Sequence, residues 1–189
     1  FSLQEDNLIL KKHLDKGGRG VYVKNGTIYF QEQGKIYSLA KVTDLPSALK
    51  GYAVHNVQNA LAAAAGAWGL QISLKTIAKG LMEFHCDENH NPGRMNIINL
   101  ENVTVILDYG HNVKSLEAII NTAKLMRPSR LIGVIASPGN RRNCDIIKLG
   151  YFFMSSGSSL ASSLFKFFAL QLIANNLSCF GLCFFLNSS

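Results

Sequence analysis

The residue types with the most chemistry to offer lie between Asn91 and Asn112. Arg94 follows Asn91-Pro92-Gly93 in a turn that leads into an apolar run, and Asp108 closes residues 103–107 just before Gly110, His111 and Asn112. Ligands of open α/β sheets bind outside the carboxyl ends of the strands, where an acidic side chain accepts hydrogen bonds from both ribose hydroxyls. A nucleotide site is therefore one reading. The other is that Asp108 and Asn112 end a strand and cap the next helix, a role short polar side chains fill constantly.

Asn56 and Asn59 stand at i and i+3, one above the other on the first turns of an expected helix. Two carboxamides so placed offer donors and acceptors to the edge of a purine. The alternative is an N-cap at Asn56 beside a solvated Asn59. The run Ser137-Pro138-Gly139-Asn140-Arg141-Arg142 follows an expected strand. Gly139, Arg141 and Arg142 make it a candidate anion-binding loop, through backbone N–H groups and guanidinium forks, or else a solvated basic turn. His85, Cys86 and His90 are metal-binding types, but a single cysteine with no second cluster does not complete a tetrahedral zinc set, so no metal site is expected. No GxxxxGK[ST] phosphate loop occurs in the 189 residues, and no nucleophile, base and acid set stands out.

The elements that would position these groups fall into three zones. Residues 1–50 alternate apolar and polar types around turn signals, and Asn25-Gly26 between two β-branched and aromatic runs predicts a hairpin. Residues 51–84 change to a helical period, with Val57, Leu61, Ala64, Ala65 and Trp68 on one face. Leu74, Ile77, Leu81 and Phe84 mark a second helix, and the polar stretch 85–93 marks a domain boundary. Beyond it the order is strand (103–107), helix with Leu116, Ile119, Ile120 and Ala123 on one side, then strand (131–136). That order predicts a βαβ crossover in a doubly wound α/β sheet.

Residues 151–189 differ from the rest: Ser, Phe and Leu dominate, and Lys166 is the one charge. Residues 167–186 are uncharged and long enough to cross a bilayer, although Gln171, Asn175 and Asn176 weigh against it. Hydrophobic residues make up 48% of the chain and charged ones 16%, which places it among folded proteins. The net charge of +7 suits an anionic partner. The basic residues are scattered without interleaved aromatics, which argues against nucleic acid. Four cysteines form neither a disulfide framework nor paired CxxC motifs, so a cytoplasmic, reducing setting is expected. Phe1 opens the chain with no secretory signal and no initiator methionine, and the start is expected to be missing.

The wording of several runs resembles one family. GYAVHNVQNALAAAAGAWGL (51–70), NPGRMNIINL (91–100), VTVILDYGHNVKSLEAI (103–119) and RPSRLIGVIASPGNRRNCDIIKLG (127–150) look like the Mur ligase superfamily, and within it the Mur ligase-like part of cyanophycin synthetases. Residues 1–30 are similar to the end of that family's central ATPase domain. The resemblance covers residues 1–150. It implies an α/β fold with the carboxy-terminal portion of a Mur ligase central domain over residues 1–90. Residues 91–150 would then be the first half of a Rossmann-like carboxy-terminal domain.

The resemblance further implies an enzyme that makes an amide in two stages: ATP phosphorylates a carboxylate, and an amine displaces phosphate from the acyl phosphate. The implied substrates are arginine and the side-chain carboxylate of an aspartate-terminated polymer. By position, Asn56 and Asn59 would face adenine, Arg94 would contact the nucleotide and Asp108 would hold ribose, with His111 and Asn112 beside them. The implied cofactors are ATP and Mg²⁺, the Mg²⁺ ligands being expected upstream of Phe1, and full-length relatives would be homo-oligomers. Gly110 and Val113 replace the family's usual Ala and Pro, and Asn140 and Asn143 stand where acidic residues are usual. Residues 151–189 do not match the family and are expected to be an aberrant tail outside the native fold, as a shifted reading frame would produce. A non-catalytic nucleotide-binding or interaction remnant of such an enzyme is the competing reading.

Overall fold

The computed structural model describes residues 1–135, 142–155, 159–160 and 182–187. The chain divides into two units, Phe1–His85 and Cys86–Ser189. The division falls at the start of the polar stretch, where the sequence places the boundary after residue 90.

In the first unit, α1 (Leu8–Asp15) is started by Asn7, whose Oδ1 accepts from the N–H groups of Ile9 and Leu10. It lies close to β1 (Arg19–Lys24) because Gly20 has no Cβ, which would stand 2.8 Å from Leu10 Cδ1. Asn25 and Gly26 take positive φ, 48° and 72°, and turn the chain into β2 (Thr27–Glu32). A second turn at Gln33-Gly34 leads to β3 (Lys35–Lys41), giving an antiparallel sheet in the order β1-β2-β3.

Short 3₁₀ turns lead into α2 (Val54–Gly69), and Ser73 caps α3 (Leu74–Glu83). The core joins Val21, Ile28 and Phe30 of the sheet to Val57, Ala60, Leu61 and Ala64 of α2 and Ile77 of α3. Ala65 and Trp68 pack against it partly buried, and the Trp68 ring meets Phe30 edge-on at 4.8 Å. The expected face of α2 is thus the buried one. Burying a side chain the size of Leu61 or Phe30 contributes about 1.5–3 kcal/mol. Phe84 departs from expectation, lying beyond the last turn of α3 and exposed.

In the second unit, β4 (Asn96–Leu100) and β5 (Val103–Asp108) form an antiparallel hairpin. Then follow α4 (Val113–Leu125), β6 (Arg130–Ile135), α5 (Asn143–Ser155), β7 (Ser159–Leu160) and β8 (Leu182–Asn187). The expected face of α4 is buried through Leu116, Ile119, Ile120 and Ala123.

The sheet order is β4-β5-β8-β6-β7. β8 runs antiparallel to both β5 and β6, so those two strands share a direction but are not neighbours. The α/β class holds, whereas the sheet is mixed. The expectation that nothing after Gly150 joins the fold is corrected at two places. α5 continues through Gly150 and buries Leu149 and Phe153, one turn apart. β8 occupies the middle of the sheet with Leu186 buried. Its backbone is hydrogen-bonded on both sides, to β5 and to β6, and backbone pairing does not require an amphipathic pattern in the sequence. No helix among the described residues is long and apolar enough to cross a membrane.

Candidate functional site

Two loops of the second unit meet where β5 ends and β4 begins. The first, residues 91–95, needs two positive φ values, 72° at Gly93 and 49° at Met95. A non-glycine residue adopts that region reluctantly, so the loop requires outside support. Asp108 supplies part of it: Oδ2 accepts from Met95 N at 2.9 Å, while Oδ1 accepts from Gly110 N. Tyr109 N donates to the Gly93 carbonyl at 2.7 Å. The two loops are thereby tied through backbone and one carboxylate.

This tie stacks side chains as well. The Arg94 guanidinium lies 5.7 Å from the Tyr109 ring centroid, a cation–π distance. Tyr109 meets His111 edge-on at 5.8 Å. His111 Nδ1 lies 3.2 Å from the Tyr109 carbonyl, which only accepts, so a hydrogen bond there is donated by Nδ1–H. Arg94, Tyr109 and His111 form a continuous cationic and aromatic surface at the strand end.

Asn112 caps α4, its Oδ1 accepting from Ser115 N at 2.9 Å. The capping alternative therefore describes Asn112 well, and Asp108 does hold local backbone. Those two N–H bonds engage both oxygens of the Asp108 carboxylate. Next to the cap is a cleft of about 320 Å³, lined by His111, Asn112, Lys114, Asp145, Lys148 and Leu149 among others. Two lysines and a helix amino terminus give it positive character, which Asp145 offsets.

Arg142 makes a two-pronged contact with Asp145, at 2.8 and 3.2 Å, and this carboxylate raises the guanidinium pKa further. Arg142 is thus engaged with Asp145. Gly139 and Arg141, the other residues of the candidate anion-binding loop, lie outside the described residues.

In the first unit, Asn56 is not an N-cap, contrary to one of its two readings. α2 starts at Val54 after Ala53, and Asn56 Nδ2 donates to the Ser47 carbonyl at 2.8 Å. Asn59 Nδ2 reaches Asn56 Oδ1 at 3.4 Å, so the two carboxamides are neighbours as their spacing requires. The remaining candidates, Arg94, Asp108, His111 and Asn112, belong to the second unit.

At the start of that unit, Asp87 accepts from the backbone N–H groups of His90 and Asn89 and from the His90 ring, which holds its carboxyl below the usual range. Burial pushes the Cys86 thiol up, which makes it a poor nucleophile at neutral pH. Among the described residues, no three His, Cys, Asp or Glu side chains converge as a metal set would.

Sequence reasoning passed over two contributors. Tyr109 sits inside the matched wording but was assigned nothing, although an aromatic one residue beyond a strand-end acid is a stacking surface. Asn96 is buried at 4% exposure in the first position of β4. A lone carboxamide opening an apolar strand is a signal for a side chain turned back onto its own loop.

Residues 93–161 match the family described as Mur ligase, glutamate ligase domain. The chain is 32% identical over 150 residues to a cyanophycin synthetase of Trichormus variabilis, an alignment covering 79% of this chain and 17% of that protein. It is 33% identical over 150 residues to the cyanophycin synthetase of Geminocystis herdmanii, with the same coverage. Over 104 residues it is 36% identical to a UDP-N-acetylmuramate–L-alanine ligase of Hydrogenovibrio crunogenus, covering 52% of this chain and 22% of the relative. The chain spans about one sixth of the length of the cyanophycin synthetases it matches.

Proposed function

We propose that this chain, whose residues 93–161 belong to the Mur ligase family, supplies nucleotide-binding groups of an ATP-dependent amide-forming ligase. The observation that carries the reading is the convergence of Arg94, Asp108 and Tyr109 at the carboxyl end of β5. The donor set fits a nucleotide: a carboxylate for ribose hydroxyls, a guanidinium for phosphate or a base edge, and an aromatic face for stacking. Bound ATP would supply the phosphoryl group that activates a carboxylate. This chain's residues would bind and orient the nucleotide, with Asp108 holding ribose and Arg94 steadying the ligand against Tyr109. Among the described residues no three His, Cys, Asp or Glu side chains come together as a metal set would.

The likeness to cyanophycin synthetases supports arginine as the amine and an aspartate-terminated polymer as the acceptor. Because 189 residues hold no GxxxxGK[ST] loop, a second reading applies to the chain alone: it binds nucleotide without turnover. Calorimetric titration with ATP tests the first reading. Saturable binding that weakens in Arg94→Ala and Tyr109→Leu is expected, and unchanged affinity in both folded variants would reject it. Sustained arginine-dependent phosphate release from the chain mixed with ATP, Mg²⁺ and primer would reject the second.

A further inference from the structure

We propose that Asn96 is the positioning residue for Arg94, an inference that rests on the nucleotide reading for its functional consequence. The Asn96 carboxamide turns back onto the loop it follows. Its Oδ1 accepts from Gly93 N at 2.6 Å, and its Nδ2 donates to the carbonyls of Asn91 at 2.9 Å and Arg94 at 3.2 Å. The side chain is buried, so it makes these bonds away from solvent.

The loop it clasps contains the two positive φ values at Gly93 and Met95 that bracket Arg94. Asp108 holds the loop at Met95 N, and Tyr109 holds it at the Gly93 carbonyl. Asn96 alone among these three also grips the Arg94 carbonyl, and so sets the direction in which the arginine leaves the backbone. That direction lays the guanidinium over Tyr109.

The chemistry of the slot selects a carboxamide, because it needs one acceptor and two donations from a single short side chain. An aspartate of equal size keeps the acceptor for Gly93 N but turns a carboxylate toward two carbonyl oxygens. An alanine removes the acceptor of Gly93 N and the donor to the Arg94 carbonyl, and leaves the Asn91 carbonyl only the Arg94 N–H at 3.3 Å. Both changes release Arg94 from its place without touching it.

The test uses the whole chain and two readouts. The first is the Arg94 Nε–Hε resonance in an NMR spectrum of the ¹⁵N-labelled protein, identified by its loss in Arg94→Lys. Its displacement by the Tyr109 ring current is defined with Tyr109→Leu. Asn96→Ala and Asn96→Asp should move the resonance to the position seen in Tyr109→Leu while circular dichroism stays native. The aspartate variant carries the test should the alanine variant fail to fold.

The second readout is ADP affinity by calorimetry, in a double-mutant cycle with Arg94→Ala. Asn96→Ala should weaken ADP about tenfold alone and add no further loss in the Arg94→Ala background. A purely structural Asn96 would leave the resonance in place or give losses that add, and either result overturns the proposal. Should Arg94→Ala leave ADP affinity untouched, the nucleotide reading fails, while the resonance still decides whether Asn96 positions Arg94.

Discussion

Asp108 Oδ2 accepts from Met95 N at 2.9 Å, so one carboxylate at the end of β5 holds the backbone that leads into β4. The acid proposed for ribose is thereby also the fastening of the loop that carries Arg94. Binding and local stability are coupled through a single side chain.

Asp108→Ala should therefore lose on two measurements. Removing the acceptor of the Met95 and Gly110 N–H groups should lower stability in urea by about 1–3 kcal/mol, and ATP affinity should fall with it. Asp108→Asn keeps one acceptor oxygen and should lose less on both counts. Unchanged ATP affinity beside a lowered urea midpoint would leave Asp108 a structural fastener only.

The strand Leu182–Asn187 lies between β5 and β6. Deleting residues 182–189 should remove strand signal in far-ultraviolet circular dichroism and broaden the thermal transition of the second unit. Leu186→Asp should do the same by placing a charge where the side chain is 3% exposed. An unaltered spectrum with raised solubility would restore the expectation drawn from composition, that this segment is foreign to the fold.

The Asp87 carboxyl lies below the usual range, first because the His90 backbone N–H bonds to it, then through the His90 ring. A depressed folded value means stability that is present above the unfolded value, near 3.9, and is lost as pH falls through the folded one. The urea midpoints of the native chain and Asp87→Ala should differ at pH 6 and draw together as pH falls through the folded value. A gap that persists into acid would show that the carboxylate charge is not responsible.

Leu61 has no exposed surface and sits where α2 meets the β1-β2-β3 sheet. Leu61→Ala should destabilise the first unit by about 2–5 kcal/mol, read from its unfolding midpoint. Ala65→Ser, at the partly buried margin of the same face, should cost under about 1 kcal/mol. Equal losses would mean that the helical face was misjudged.

Local chemistry was legible in the residues themselves. Asn25-Gly26 dictates its hairpin because both residues tolerate positive φ. The faces of α2 and α4 follow from spacings of three and four, and Asp108 and Asn112 were legible as a strand end and a helix cap. The wording of runs within residues 1–150 carried the family resemblance.

What only the tertiary structure decided is which distant segments meet. Asn56 bonds Ser47 instead of capping its own helix, because the 3₁₀ turn brings that carbonyl to it. Residues 91–96 and 108–111 close on each other through Asp108 and Tyr109, and β8 enters the sheet across a long separation in sequence. Periodicity and turn chemistry act over a few residues and leave their mark on composition. Strand pairing and loop-to-loop hydrogen bonds use backbone groups that every residue carries, so their partners are chosen by burial in the assembled fold.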